Sequence, residues 1–265
     1  MISPLAYVDP GAKLGNNVTV HPFAYIDNNV EIGDNCEIMP YVSIMHGSRL
    51  GNNIKVFNGA IIGSDPQDFR WKGEQTYCHI GDNTVVREQV IINRSIREGK
   101  STEIGANCFL MAETHIGHDS VISDKCVLGN GVQIAGDVFI DTCSILSTGA
   151  KVNNGSRISC WVFIKGGCRI SGNVPPFVIM AHNPATYYGV NAMVMREKKN
   201  LFTEDIIDDI AKAYRHIYQC NTTIYNALKR IENDVPPSKE RDKIVEFIRN
   251  NNCKIIALPH IDMYQ

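Results

Sequence analysis

Residues 110–124, LMAETHIGHDSVISD, place two histidines and an aspartate within five positions: His115, His118 and Asp119. An imidazole changes charge near neutrality, so a histidine that reaches solvent can take a proton from an attacking hydroxyl as a general base. Asp119 is in place to orient such a base, although side chains on adjacent residues rarely face each other. The same spacing also fits two ordinary surface histidines, and residue types alone leave both readings open.

The element that must hold these residues is written in a repeat of six. Stepping by six from Ile2 meets Val8, Leu14, Val20, Ile26, Ile32, Ile38, Ile44, Leu50, Val56 and Ile62. The track resumes at Ile80, Val86 and Ile92, and then runs unbroken in Leu, Ile and Val from Ile104 to Ile170. A second track four residues later is small or β-branched and includes Cys36, Cys108, Cys126 and Cys168. Gly, then Asn or Asp, often follows the aliphatic residue. A period of six is neither the two of a strand nor the 3.6 of a helix. It fits a short strand plus a turn, with Gly and Asn supplying the turn conformations. Three such sides close a triangular coil of about eighteen residues, and stacked coils align the aliphatic side chains in one interior column. The fold class expected is therefore mainly β, a parallel β-helix. In this register Ile116 points inward, and His118 lies two residues further on, on the wall or at the turn, where it reaches solvent. A metal site would need three convergent ligands. His21, His46 and His79 are available, but none lies a whole number of coils from His115 or His118, so stacking does not align them and no metal is expected.

Two stretches interrupt the pattern, residues 64–79 and 93–103. Insertions of this kind loop out from one face of a solenoid, and that face often binds ligands. Phe69 and Trp71 in the first insertion would need a partner; an idle surface loop is the alternative. The repeat stops at Val174-Pro175-Pro176. Thr203 reads as a helix N-cap ahead of Ile206, Ile207, Ile210, Tyr214 and Ile217 at helical spacing. Ile224, Leu228 and Ile231 suggest a second helix, and Ser238 can cap a third carrying Ile244, Val245 and Ile248. The organisation expected is a β-helix over residues 1–190 and a small C-terminal α-helical domain over residues 191–265.

The chain of 265 residues carries a net charge of -2, which gives no nucleic-acid footprint. No apolar run reaches the 18 or so residues of a membrane span. The N-terminus lacks a basic segment followed by an apolar run, so no secretory signal is expected. Nine cysteines, an odd number without a Cys-x-x-Cys, read as small buried thiols of a cytoplasmic protein.

The segments PQDFRWKGEQT (66–76), IGDNTVVREQVIINRS (80–95), LMAETHIGHD (110–119) and GNVPPFVIMAHNPATYYGVN (172–191), together with the helical tail, resemble the acyl-carrier-protein:UDP-N-acetylglucosamine O-acyltransferases of lipid A biosynthesis. The resemblance covers essentially the whole chain. It implies that the β-helix is left-handed and that the molecule is a homotrimer with active sites between neighbouring subunits. It also implies that a fatty acyl group passes directly from acyl carrier protein to the glucosamine 3-hydroxyl, the first step of that biosynthesis, without a covalent acyl-enzyme. The carrier thioester is then a co-substrate, and no cofactor is implied. By the same resemblance His118, beside its candidate partner Asp119, is the general base, and Gly136 the residue whose amide faces the thioester carbonyl, where an N–H aimed at the developing oxyanion stabilises the transition state. Gln67, Asp68 and Arg70 match substrate contacts on the first loop, and His115 a contact near the sugar. Asn191 falls in a nucleotide-binding stretch, and Lys198 and Lys199 resemble a basic pair that meets the diphosphate. Gly166 falls where the acyl chain is limited, and its missing side chain implies a longer chain. Asp137 and Asn153 depart from the pattern, since better-known members carry histidines there. Arg94, Arg97, Lys100, Arg157, Lys165 and Arg169 could form a surface for the acidic carrier. Competing readings are another hexapeptide acyltransferase using a CoA or carrier thioester, the related N-acyltransferase (whose extra N-terminal domain finds no room before Ile2), a metal-dependent β-helix enzyme and a catalytically silent scaffold.

Overall fold

The structure, a computed structural model, describes residues 1–220 and 222–250. Most aliphatic residues of the six-residue track end a short strand whose preceding residue points outward. His115 is half-buried on the outside while Ile116 is 0% exposed. Coils of eighteen residues stack in register, His115 beside Gln133 and Ile116 beside Ile134. Among the described residues the coils form three parallel sheets of nine, eight and ten strands. The first sheet includes Ile61–Ser64, Ile91–Asn93, His115–Ile116 and Gln133–Ile134. The second includes Tyr77–Ile80, Ser101–Ile104 and Val121–Ile122. The third includes Phe109–Leu110 and Phe163–Ile164, and ends in Val178–Ala181 with Thr186–Val190 antiparallel at its edge.

The aliphatic column is the core. Ile26, Ile38, Ile62, Ile92, Leu110, Ile116, Leu128 and Ile134 are all 0% exposed. Each contributes roughly 1.5–3 kcal/mol relative to exposure, which offsets the entropy of ordering a chain made mostly of turns. Cys36, Cys108, Cys126 and Cys168 fill the small-residue slot as buried free thiols. The corners turn through left-handed residues such as Asn17, Asn35, Asn53, Asn83, Asn107, Asp119 and Asp137. That is why Asn and Asp recur there: their short polar side chains tolerate positive φ better than other non-glycine residues do.

Both insertions leave the prism at the corner between the first and second sheets. One runs from Ile61–Ser64 to Tyr77–Ile80, the other from Ile91–Asn93 to Ser101–Ile104. The excursions are thus 65–76 and 94–100, shorter than the sequence pattern suggests, because the flanking residues keep their inter-coil hydrogen bonds. His118 sits at the same corner on the next coil.

The C-terminal part has helices α1 (Ala192–Arg196), α2 (Glu204–Tyr218), α3 (Ile224–Asp234) and α4 (Lys239–Asn250). Thr203 caps α2 by accepting from Ile206 N–H, and Ser238 accepts from Arg241 N–H at the start of α4, as their positions before the apolar stripes predict. Tyr187 and Tyr218 stack 4.2 Å apart, and the buried Tyr214 hydroxyl donates to the Pro176 carbonyl at 2.5 Å, so α2 is fastened to the end of the solenoid. Residues 251–265 of the expected helical part lie outside the described residues. Among the described residues no helix is long and apolar enough to cross a membrane.

Candidate active site at a solenoid corner

His118 is 7% exposed, so the expectation that it reaches solvent freely from the wall is corrected. The cause is the pair of loops. They rise from the two coils below and close over its corner.

Asp119 takes a left-handed conformation, φ 59°, and this bend lets two adjacent side chains meet. Nδ1 of His118 and Oδ2 of Asp119 are 2.8 Å apart, a pairing that adjacency had seemed to disfavour. The Asp119 side chain is 3% exposed and well supplied with donors. Ser95 Oγ donates to it at 2.5 Å, the Ile96 N–H at 3.3 Å, and Arg97 Nη1 lies 3.2 Å away. Burial works against its ionisation. The hydrogen bonds from Ser95, His118 and Ile96 and the charge of Arg97 outweigh that, and its carboxyl is held below the ordinary value. An ionised Asp119 accepts from Nδ1–H and so presents Nε2 as the proton-accepting nitrogen.

Asp68, from the first loop, brings Oδ2 within 3.3 Å of Nε2. Arg70 grips the same carboxylate with Nε at 3.0 Å and Nη2 at 2.8 Å and holds it well below the usual carboxylate range. Asp68 therefore caps the side of the ring that bears Nε2. Gln67, its neighbour, lines a groove of about 460 Å³ with Gln89, Ile91, Glu113, His115 and Gln133. Burial pushes the His115 imidazole below its ordinary value and keeps it a neutral donor and acceptor at the groove wall.

Gly136 stands one coil above His118. A Cβ there would lie 2.5 Å from both Cε1 and Nε2, so the ring rests against this glycine. No protein acceptor for the Gly136 N–H is found among the described residues, while its carbonyl accepts from Asn154 Nδ2 at 2.7 Å. A free amide beside an imidazole is an arrangement that can donate to a developing oxyanion.

The other expected contacts lie elsewhere on the single chain. Gly166 is at the corner between the third and first sheets, against the Thr148 carbonyl. Asn191 is 1% exposed and spends its amide on the Trp161 carbonyl at 2.9 Å, so it fastens the chain at that end of the prism. Lys198 and Lys199 are exposed beyond α1, with Lys198 near Cys143. Asn153 accepts from Arg169 at 3.2 Å. Two cations expected on a carrier surface are already engaged. Arg94 pairs with Asp65 at 2.6 Å and lies 5.3 Å from the Trp71 ring centre, which supplies the partner that Trp71 needed. Arg97 belongs to the site itself. Sequence reasoning missed Ser95 and Arg97 as site residues; counting coils shows the signal, since residues after Asn93 must cross the corner that carries His118. Phe69 is fully exposed. Among the described residues no group of three His, Cys, Asp or Glu side chains is placed to hold a metal ion.

A pH dependence follows. The Asp119 carboxyl is depressed in the folded state, so its contribution to stability is present above its unfolded value, about 4, and is lost as pH falls through the folded value. Denaturant midpoints should fall below pH ~4, and Asp119→Asn should flatten that limb. An unchanged slope in the variant would show that the carboxylate is not held as its geometry indicates.

Residues 173–256 match the family model described as UDP N-acetylglucosamine O-acyltransferase, domain 2, and residues 29–64 and 101–136 match bacterial transferase hexapeptide (six repeats). The acyl-[acyl-carrier-protein]--UDP-N-acetylglucosamine O-acyltransferase of Pseudomonas fluorescens strain Pf0-1 is 42% identical over 93% of this chain and 94% of its own. A relative of the same name from Gloeothece citriformis is 35% identical over 67% of this chain, which spans 64% of that relative's length. Among solved structures, LpxA, a UDP-N-acetylglucosamine acyltransferase from Bacteroides fragilis 9343, matches at a TM-score of 0.94 with 44% identity, over 97% of this chain and 100% of that one. The fold expected from the sequence, a left-handed parallel β-helix followed by a few helices, is the one found.

Proposed function

The chain belongs to the acyl-[acyl-carrier-protein]–UDP-N-acetylglucosamine O-acyltransferase family, and from that membership we propose that it moves a fatty acyl group from a carrier-protein thioester to the glucosamine 3-hydroxyl of UDP-N-acetylglucosamine, with His118 as general base. The observation that carries the reading is the His118–Asp119 pair at the solenoid corner, its Nε2 turned toward the loop that bears Asp68.

The chemistry follows from that geometry. Asp119 fixes the Nδ1–H tautomer. Nε2 takes the proton as the sugar oxygen attacks the thioester carbon. The Gly136 amide offers a hydrogen bond to the oxyanion. The C–O bond forms, the C–S bond breaks, and the imidazolium returns its proton to the departing thiolate. Asp68 and Arg70 are placed to exchange their mutual hydrogen bonds for sugar hydroxyls, with Gln67 and His115 lining the approach.

The assembly belongs to the same proposal. Val85, Phe109, Val127, Ile145, Phe163 and Ile179 form an apolar outward stripe on the third sheet, each half-buried in one chain. Such a stripe suits packing against further copies. A homotrimer would let Asn191, Lys198, Lys199 and Gly166 of one copy serve the groove of another, since one chain does not bring them to His118. Buried reduced thiols suit a cytoplasmic location, where disulfides are rare.

Purified protein should form O-acylated UDP-N-acetylglucosamine when supplied with the nucleotide sugar and acyl-carrier-protein thioesters of graded length, and little from acetyl-CoA. Transfer from acetyl-CoA alone would move the donor assignment to the simpler hexapeptide acyltransferases. No acylation from any thioester would overturn the proposal.

A further inference from the structure

Arg97 is 53% exposed, yet its guanidinium turns inward onto two carboxylates. Nη1 lies 3.2 Å from Asp119 Oδ1, and Nη2 pairs with Asp137 Oδ1. Asp119 and Asp137 occupy the same corner position on consecutive coils and share a left-handed backbone, φ 59° and 58°. The stacking makes them neighbours, and the Asp137 N–H donates to the His118 carbonyl at 2.9 Å. Two like charges stacked in this way repel, and one cation between them converts the repulsion into a bridge.

The charges around the base are numerous. Asp119 faces His118 from its own turn, Asp68 with its partner Arg70 from the first loop, Asp137 from the next coil, and Arg97 from the second loop. Three carboxylates thus share one corner with one imidazole. Arg97 and Arg70 are the counterweight. Arg70 is spent on Asp68, whereas Arg97 reaches the carboxylate that orients the ring.

Resting on the reading of His118 as base, we propose that Arg97 and Asp137 are positioning residues: Arg97, anchored by Asp137, holds Asp119 against Nδ1 of His118 and balances the charge of the carboxylates around the ring. Neither residue touches the reacting atoms. They act through Asp119.

A purely mechanical clip and this electrostatic role differ in sign. If the ion pair only pins a loop, losing either partner has the same consequence. If it sets the charge at the base, the two losses act in opposite directions. The test is kcat/KM against pH for Arg97→Gln, Asp137→Asn and Arg97→Lys, with circular dichroism to confirm folding and His118→Ala in parallel. Arg97→Gln should move the acid limb to higher pH by about half to one unit and lower kcat about tenfold, with KM little changed. Asp137→Asn should move the limb to lower pH. Arg97→Lys should restore the limb while recovering kcat only in part, because one ammonium lacks the fork that spans both carboxylates. Limbs that move the same way in the first two variants, or do not move, or a loss confined to KM, would overturn the proposal. If Arg97→Gln does not fold, an unmoved or raised limb in Asp137→Asn overturns it alone. Wild-type turnover in His118→Ala would instead strike the assignment of the base, a separate failure.

Discussion

His118→Ala should abolish measurable acyl transfer at neutral pH, with kcat reduced by about 10²–10⁴. The estimate comes from the worth of a positioned base, and nothing nearby replaces it. Asp68 is the other group within reach of the site, but Arg70 holds its carboxyl well below the usual range, and a carboxylate so depressed is a poor proton acceptor. His115 faces the groove three residues away, on the first-sheet wall rather than at the corner. The control is structural. The ring lies between two carboxylates, and removing it leaves Asp119 with one donor fewer, so His118→Gln, which keeps a hydrogen-bonding group of similar reach, should be equally inactive while folding normally. Binding of UDP-N-acetylglucosamine, read by calorimetry, should survive in both variants. Full turnover in a folded His118→Ala protein would refute the mechanism while leaving the family membership untouched.

Gly136→Ala is expected to cost about 10² in kcat although it adds one methyl group. The added Cβ would stand 2.5 Å from Cε1 and Nε2 of His118, closer than non-bonded carbon and nitrogen can approach. Ring or coil must shift by about 1 Å to restore contact distance, and a misplacement of that size is enough to spoil an attack geometry. The coil resists, because Gly155 donates to the Gly136 carbonyl and Asn154 holds it from the side. The imidazole yields instead and loses its alignment with Asp119. The substitution keeps the backbone N–H, so the loss isolates ring placement from oxyanion stabilisation. Substrate affinity should change much less than kcat. A variant with wild-type kcat would show that the ring does not rest on this glycine during turnover.

Much of the fold was legible because its physics is one-dimensional. Each coil contacts the coils beside it, so a side chain's fate follows from its phase in the six-residue count. Ile116 inward and His115 outward, Cys126 in the small slot and Thr203 at a helix start all follow from local rules. The insertions were visible as breaks in phase, though their ends were read too wide, because strand pairing persists where the aliphatic pattern has already stopped. The site was legible only in part. His115, His118 and Asp119 were visible as a cluster in the sequence, while Asp68 and Gly136 came from motif resemblance; Asp119, Asp68 and Gly136 meet His118 at the corner, and His115 faces the groove on the first-sheet wall. Arg97 was assigned to a distant partner because nothing local to residue 97 shows which way its side chain turns.

What the sequence determined by itself is the solenoid: an aliphatic residue every sixth position leaves water by stacking on its equivalents in the next coils, and Asn, Asp and Gly hold many of the left-handed corners. What only the tertiary structure decided is the occupancy of one corner. Two loops from consecutive coils close over His118 and bring Asp68, Ser95 and Arg97 to it from 50, 23 and 21 residues away along the chain. The reason is physical. A repeat fixes phase within a coil, whereas the path of an insertion is chosen by the charges and hydrogen bonds it finds on returning, and those belong to other coils.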